Sequence, residues 1–522
     1  MKSMKWGPWF LIMCGITFVA ALSRLNIKPP VQSVPPLTDS NYQNFPDTIL
    51  PDTTPLERLQ FKLDALCDAQ ILKHATWGFY LIDVDSNKVI ANFNENQSMI
   101  PASVMKLLTT GCALAIAGPN YHFITRLQFD GELNAAKRTL NGNIYIKGGG
   151  DPTLGSTVFG GCSENVIIEK WLQAIQKLNI DTINGAIIAD ARLFEYDLIP
   201  SGWSWEDMQS DYCAGPSGLS FRENLFDIKI KTINDSILLK TYPDIPGLNL
   251  FNNMVINKSA PKSYCFVAGM PYADERFVFG EINPDSNEFV AKAQMPDPAF
   301  VCASSLFHAL KRIGIVVKDS ATTVRKLKYN RAFNNYKGTT FYTGYSPSLN
   351  EIIKYTNQYS MNFYAESILK LLAALQEGYG SNLGGCRVVS QFLRSKGINI
   401  SGLFMTDGSG LSRYNSVTPK MMAEMLTMFA TDSNFVFDSF YNSLPVAGVS
   451  GTLRNMCIGT TAQGNIRAKS GTVGRVKSYV GYATSKSGRL MSFAMISNNH
   501  LVPARQMRSH WEELMELIAE LD

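Results

Sequence analysis

Residues 465–496 read NIRAKSGTVGRVKSYVGYATSKSGRLMSFAMI. Three strand-type runs, 465–473, 476–484 and 490–496, follow one another with short turns between them. Ser485-Lys486-Ser487-Gly488 joins the last two with the residues a hairpin turn demands. Strands joined this tightly pair antiparallel. Beyond them, 503–521 places Met507, Trp511, Leu514, Leu517 and Ile518 on one side of a closing helix.

At the other end of the chain a complementary set appears. Residues 56–75 form an amphipathic helix whose apolar face is mostly Leu59, Phe61, Leu63, Leu66 and Ile71. Strands follow at 77–83 and 89–93 around Asp85-Ser86-Asn87-Lys88, then a helix at 102–117 ended by Gly118-Pro119-Asn120. Helical patterns return at 349–357, 362–377, 384–396 and 419–431. The two ends are expected to share one antiparallel sheet flanked by helices, an α/β (α+β) domain built from 56–120 and 341–522. Between them, 121–340 alternates short β-like runs with Gly, Pro and Asn turns, and only 164–178 and 299–313 look helical. This is read as an inserted β-rich region of one or two subdomains, with a nested piece at about 194–257.

The first residues read as an export signal. Lys2 and Lys5 precede an apolar run to Leu22, with Ala20, Ala21 and Ser23 near its end, so 1–25 is a signal peptide or a retained membrane anchor. Residues 26–55 hold seven prolines and no apolar period, the composition of an extended spacer. The working compartment is therefore expected to be periplasmic or otherwise outside the cytoplasm, with membrane contact only through the N-terminal segment.

Composition closes off other classes. With 522 residues the chain buries a core without staples. A net charge of +4 over that length disfavours nucleic-acid binding. Nine cysteines without CxxC, and five histidines without HExxH, give neither a disulfide framework nor a zinc pattern, so no cofactor or metal is expected.

Three short motifs carry chemistry. Ser103-Val104-Met105-Lys106 opens a helix, and residues three apart share a face, so the hydroxyl lies beside the amine. Serine needs a base to become a nucleophile, and lysine serves only if desolvation or a nearby cation lowers its pKa. Ser360-Met361-Asn362 starts a helix and offers a hydroxyl for proton relay and an amide for substrate, although Ser360 also reads as an N-cap. Lys469-Ser470-Gly471-Thr472 lies on a strand, where Gly471 lets a ligand backbone approach and the two hydroxyls suit a carboxylate. Each motif has decoys, among them Ser259–Lys262, Ser367–Lys370 and Lys486-Ser487-Gly488.

In this order the three motifs form the signature of serine penicillin-binding proteins and β-lactamases. The stretches 148–154 (GGGDPTL), 203–207 (WSWED), 220–224 (SFREN), 407–413 (DGSGLSR) and 444–448 (LPVAG) also resemble the class C low-molecular-mass penicillin-binding proteins, which are D-alanyl-D-alanine carboxypeptidases/endopeptidases. The resemblance spans about 56–522, and the long gap between Ser103 and Ser360 suits it. It implies peptidoglycan peptides as substrates and β-lactams as covalent inhibitors. By the same resemblance, Ser103 is the nucleophile and Lys106 its base, with Ser360 as relay. Asn362 orients the substrate amide, and Lys469 lowers the pKa of Lys106 by like charge. Ser470, Gly471 and Thr472 bind substrate. Separately, the charges of Arg413 and Asp190 suit the carboxylate and amine of a cross-linking diamino acid; the alternative is that Arg413 pairs within its Gly-rich loop and Asp190 ends a strand. Two rivals remain: a β-lactamase, for which no E-x-x-L-N segment is found, and an idle wall-binding scaffold, which would not need all five polar groups.

Overall fold

A computed structural model of the chain describes residues 53–522, apart from 235, 285–287 and 334. The expected leader (1–25) and all but the end of the expected spacer (26–55) lie outside the described residues.

The two ends of the chain meet in one sheet. Strands β1 (Thr76–Asp83) and β2 (Val89–Phe93) join β3 (Ile466–Val473), β4 (Val476–Thr484) and β5 (Leu490–Asn498) in the order β3-β4-β5-β1-β2. Every pairing is antiparallel, and β1 runs against β5 from Thr76↔Asn498 to Asp83↔Met491. Side chains alternate across such a sheet. Tyr80, Ile82, Val480, Tyr482 and Ile496 enter one core with helices α2 (Lys106–Ala117), α4 (Asn362–Glu377) and α5 (Pro419–Thr431). Trp77 turns to the opposite face, where its ring lies 6.1 Å from Trp511 of the closing helix α6 (Ala504–Ala519). The first helix, α1 (Pro55–Asp68), packs on α6 and starts at a reciprocal cap between Thr54 and Glu57. It ends before the expected 75, and Ile71 and Leu72 are buried through a turn instead.

The region between the ends has its own core, including Leu127, Ile146, Trp171, Ile187, Val301 and Leu306. Its five-stranded sheet is mixed, in the order 322–323, 187–190, 144–147, 124–129 and 339–345. Helices Glu164–Gln176 and Pro298–Arg312 belong to it. The last strand, Thr339–Tyr345, pairs with Ile124–Phe129, so this sheet extends past residue 340. The nested β piece spans 225–294 rather than 194–257, because Phe289–Gln294 returns to pair with Leu225–Ile233. Residues 194–224 instead reach the domain formed by the two chain ends: the Trp203 indole donates to Asp407 at 2.8 Å.

Candidate active site

Residues 102–105 form a 3-10 turn, and α2 begins only at Lys106, so the expected single helix has a tighter entry. Ala102 takes a left-handed φ of 50°. Ser103 is half-buried and Lys106, beneath it, is fully buried. The Lys106 Nζ donates to Ser103 Oγ at 3.0 Å, to Asn362 Oδ1 at 2.7 Å and to the Ser409 carbonyl at 2.7 Å. Asn362 Nδ2 in turn donates to the Tyr212 carbonyl at 3.1 Å.

Ser360 is not the N-cap that its position suggests. It is the left-handed link, φ 59°, between α3 (Leu349–Tyr359) and α4, and its N–H closes α3 on the Thr356 carbonyl. Met361 caps α4 without a side-chain bond. A non-glycine residue in this region stores about 1–3 kcal/mol of strain. The Ser360 hydroxyl is thereby aimed at β3, where it accepts from Lys469 Nζ at 2.8 Å.

Strand β3 lies at the sheet edge, directly against the Ser103 turn. The Ser478 hydroxyl on β4 donates to the Pro101 carbonyl at 2.6 Å. A Cβ placed on Gly471 would lie 2.7 Å from that carbonyl and 3.0 Å from the Ser103 nitrogen, so only glycine permits this approach. Lys469 Nζ also donates to the Ser470 carbonyl at 2.7 Å. The Ser470 hydroxyl donates to Thr452 Oγ1 at 2.8 Å, and Thr472 Oγ1 accepts from Lys477 Nζ at 2.8 Å.

Burial pushes the Lys106 amine down to about 7, against a partial upward pull from Asp407 and Glu366. Of the two causes weighed from the sequence, desolvation or a nearby cation, it is desolvation that lowers Lys106; the like charge of Lys469, which the resemblance implied, is not among the causes. Lys469 is also driven well below its usual value, first by burial and then by the charges of Lys106 and Lys477. Glu366, buried on α4, is raised to about 7 by burial and by Asp407, while the N–H groups of Gly408 and Ser409 donate to it. Asp407 accepts from the N–H groups of Gly410 and Ser412 and from Asn415 Nδ2. The two carboxylates thus fold the 407–413 loop that presents the Ser409 carbonyl to Lys106.

The structure brings Ser103, Lys106, Ser360, Asn362, Lys469, Ser470, Gly471 and Thr472 to one place. Arg413 is exposed beside the end of β3, its guanidinium 3.5 Å from a Cβ built on Gly474. Asp190 does not join them. Its carboxylate is buried and held by Arg192 at 2.7 Å and by the Tyr336 hydroxyl at 3.0 Å, all within the inserted region. An ion pair two residues along the chain satisfies it, which corrects the expectation that it reads substrate. Sequence reasoning missed the Ser409 and Tyr212 carbonyls, Glu366, Thr452 and Lys477. Backbone carbonyls leave no side-chain signature; Glu366 was visible only as a charge on an apolar helix. Among the described residues no group of three His, Cys, Asp or Glu side chains is placed to ligate a metal.

A hydroxyl backed by one buried amine, with a second hydroxyl–amine pair opposite and a strand edge alongside, defines a penicillin-binding serine peptidase fold. The D-Ala-D-Ala carboxypeptidase 3 (S13) family model matches residues 59–520, and the chain belongs to that family. It is 26% identical over 462 residues to a D-alanyl-D-alanine carboxypeptidase of Actinomadura sp. (strain R39), covering 86% of this chain and 82% of that one. It is 24% identical over 430 residues to the D-alanyl-D-alanine carboxypeptidase DacB of Haemophilus influenzae, covering 81% and 85%. The crystal structure of penicillin binding protein 4 (dacB) from Haemophilus influenzae has a similar fold, with a TM-score of 0.74 and 22% identity over 89% of this chain and 98% of that one.

Proposed function

We propose that this protein is a serine DD-peptidase of peptidoglycan: it cleaves the terminal D-Ala–D-Ala bond of stem peptides, and the corresponding bond of cross-links, through an acyl-enzyme on Ser103. The observation that carries the reading is the 3.0 Å contact between Ser103 Oγ and an amine whose pKa is near 7. Neutral Lys106 takes the hydroxyl proton as Oγ attacks the penultimate D-Ala carbonyl carbon. The Ser103 and Thr472 N–H groups hold the developing oxyanion, where one donor contributes about 2.7–4 kcal/mol. Ser360, beside Lys469, delivers a proton to the leaving nitrogen as the C–N bond breaks and is reprotonated at the expense of the proton Lys106 took, which returns Lys106 to the neutral amine. Water then loses a proton to Lys106 as its oxygen attacks the ester carbonyl, and that proton passes to Ser103 Oγ as the C–O bond breaks and frees the serine.

Asn362 orients the substrate amide. Lys469, Ser470 and Thr472 receive the terminal carboxylate, with Gly471 giving the substrate backbone access to the strand edge. Arg413, exposed and beside β3, reads the carboxylate of the cross-linking diamino acid. β-Lactams acylate the same serine and leave slowly. Residues 1–25 export the chain and are either cleaved or kept as an anchor, so the peptidase works in the periplasm.

The test is digestion of a peptide ending in D-Ala-D-Ala and of cross-linked muropeptides, with mass analysis of products and of a penicillin adduct. One adduct per chain, lost in Ser103→Ala together with product, is expected. Rapid turnover of penicillin would make the protein a β-lactamase instead, and equal product from Ser103→Ala would remove this mechanism.

A further inference from the structure

Thr472 and Lys477 stand directly opposite each other across the β3–β4 hairpin, so their side chains share a face of the sheet. The Lys477 ammonium donates to Thr472 Oγ1 at 2.8 Å and lies 5.0 Å from the Tyr479 ring centroid. A threonine hydroxyl has one proton and two acceptor sites, whereas an ammonium has three donors and no acceptor. Lys477 therefore fills an acceptor site of Thr472 and leaves its proton to point elsewhere. Thr472 is exposed on the edge strand β3, next in the chain to Gly471, which lies against the Ser103 turn, so its proton is free for a ligand at that edge.

The charge pattern is equally one-sided. Lys477 is half-buried and makes no ion pair with any described carboxylate. The acid that influences it, Glu512 on α6, is already bound to Arg508 one turn away. Arg475 sits in the hairpin turn, and Arg413 flanks Gly474. An unneutralised ammonium in this position leaves room for an anion that arrives with the substrate.

We propose that Lys477 is a positioning residue for carboxylate recognition: it fixes Thr472 as a hydrogen-bond donor and adds a positive charge behind it, so that the site favours substrates with a free C-terminal carboxylate. The inference rests on the DD-peptidase reading and assigns a further residue to it. Lys477 touches Thr472, and acts on substrate through it.

The experiment compares a peptide ending in D-Ala-D-Ala with the same peptide ending in the carboxamide, using the full chain, Lys477→Met, Lys477→Arg and Thr472→Val. Lys477→Met is expected to raise KM for the acid by about five- to tenfold with a smaller change in kcat, and to leave KM for the amide nearly unchanged. Lys477→Arg, which keeps the donor and the charge, should restore most of the preference. Lys477→Met combined with Thr472→Val should lose little more than Thr472→Val alone, since the two act in series. An acid-to-amide preference unaltered in Lys477→Met, or equal losses on both substrates, overturns the proposal while the peptidase reading stands. Absence of D-Ala release by the unaltered chain overturns both. Thermal unfolding of each variant separates a folding defect from lost recognition: if Lys477→Arg folds like the unaltered chain yet behaves like Lys477→Met, the charge argument fails.

Discussion

The chain contains two helical S-x-x-K segments, and in both the lysine is fully buried. At Ser367–Lys370, in the middle of α4, the serine hydroxyl donates to the Phe363 carbonyl of its own helix. Lys370 Nζ donates to the Asp197 carbonyl at 2.7 Å and pairs with Glu195 at 3.2 Å. At Ser103–Lys106 the serine sits in a 3-10 entry turn, with its hydroxyl turned to the amine. The acids behind Lys106, Asp407 and Glu366, make no ion pair with it; N–H groups of the 407–413 loop donate to them. Burial alone therefore does not create a base. The amine must be buried without a contacting carboxylate, and the serine must not be spent on its own helix.

The sharpest way to break this comparison is to remove each hydroxyl. Ser103→Ala should lower kcat/KM by about 10⁴-fold or more, as loss of a nucleophile does elsewhere. Ser367→Ala should stay within about twofold. D-Ala release measures both, and similar losses would erase the distinction. The lysines should then separate by type of damage. Lys106→Met should lower kcat by about 10²–10⁴-fold, the range of a lost proton acceptor. Lys370→Met should instead reduce stability by about 2 kcal/mol in urea unfolding, because Glu195 loses its cation but remains partly hydrated.

Access to the strand is the next difference, since Ser367 has no strand beside it. Gly471→Ala would force a Cβ to 2.2 Å from Ser478 Oγ and displace β3 from Ser103. We expect a 10- to 100-fold fall in kcat/KM (on the order of the misplacement cost) with folding largely kept, read by kinetics and calorimetry together.

The pH response should sharpen the comparison further. Lys106 acts only when unprotonated, so kcat/KM should rise about tenfold per pH unit below the value near 7 and level off above it. Its folded pKa lies below the unfolded value of 10.5, so between about 7 and 10.5 the unfolded chain binds more protons. The Lys106 contribution to stability therefore grows as pH rises through that window and is at its least favourable below 7. Urea midpoints against pH should show this slope weakened in Lys106→Met. The smallest effect is expected from Glu195→Gln, which strips Lys370 of its counter-ion. Penicillin labelling should stay at one per chain, because Ser367 remains tied to Phe363; a second label would disprove the rule drawn from the two segments.

Much of this geometry was legible in the sequence, for identifiable reasons. The three motifs are side-chain patterns tied to helix entries and a strand, and local spacing fixes what shares a face. The β3–β4–β5 hairpins were readable from turn residues and alternation. Less legible was anything decided by a partner elsewhere. Asp190 reads as a cleft acid until Arg192 is seen to turn back upon it. Ser360 reads as a cap until its φ shows a link between two helices. The nested boundary differs because Phe289–Gln294 pairs with a strand about sixty to seventy residues earlier. Which of desolvation and a nearby cation lowers Lys106 was left open by the sequence, because desolvation is a property of the finished interior.

Residues from the insertion complete this pocket: the Tyr212 carbonyl holds Asn362, and the Trp203 indole holds Asp407. In chain order the nucleophile is synthesised first, the insertion second, and both remaining motifs last. A half-made copy thus carries Ser103 and Lys106 but lacks Ser360, Asn362, Lys469 and the β3 edge. The pocket is therefore complete only when the last strands of the chain have closed the sheet beside the Ser103 turn.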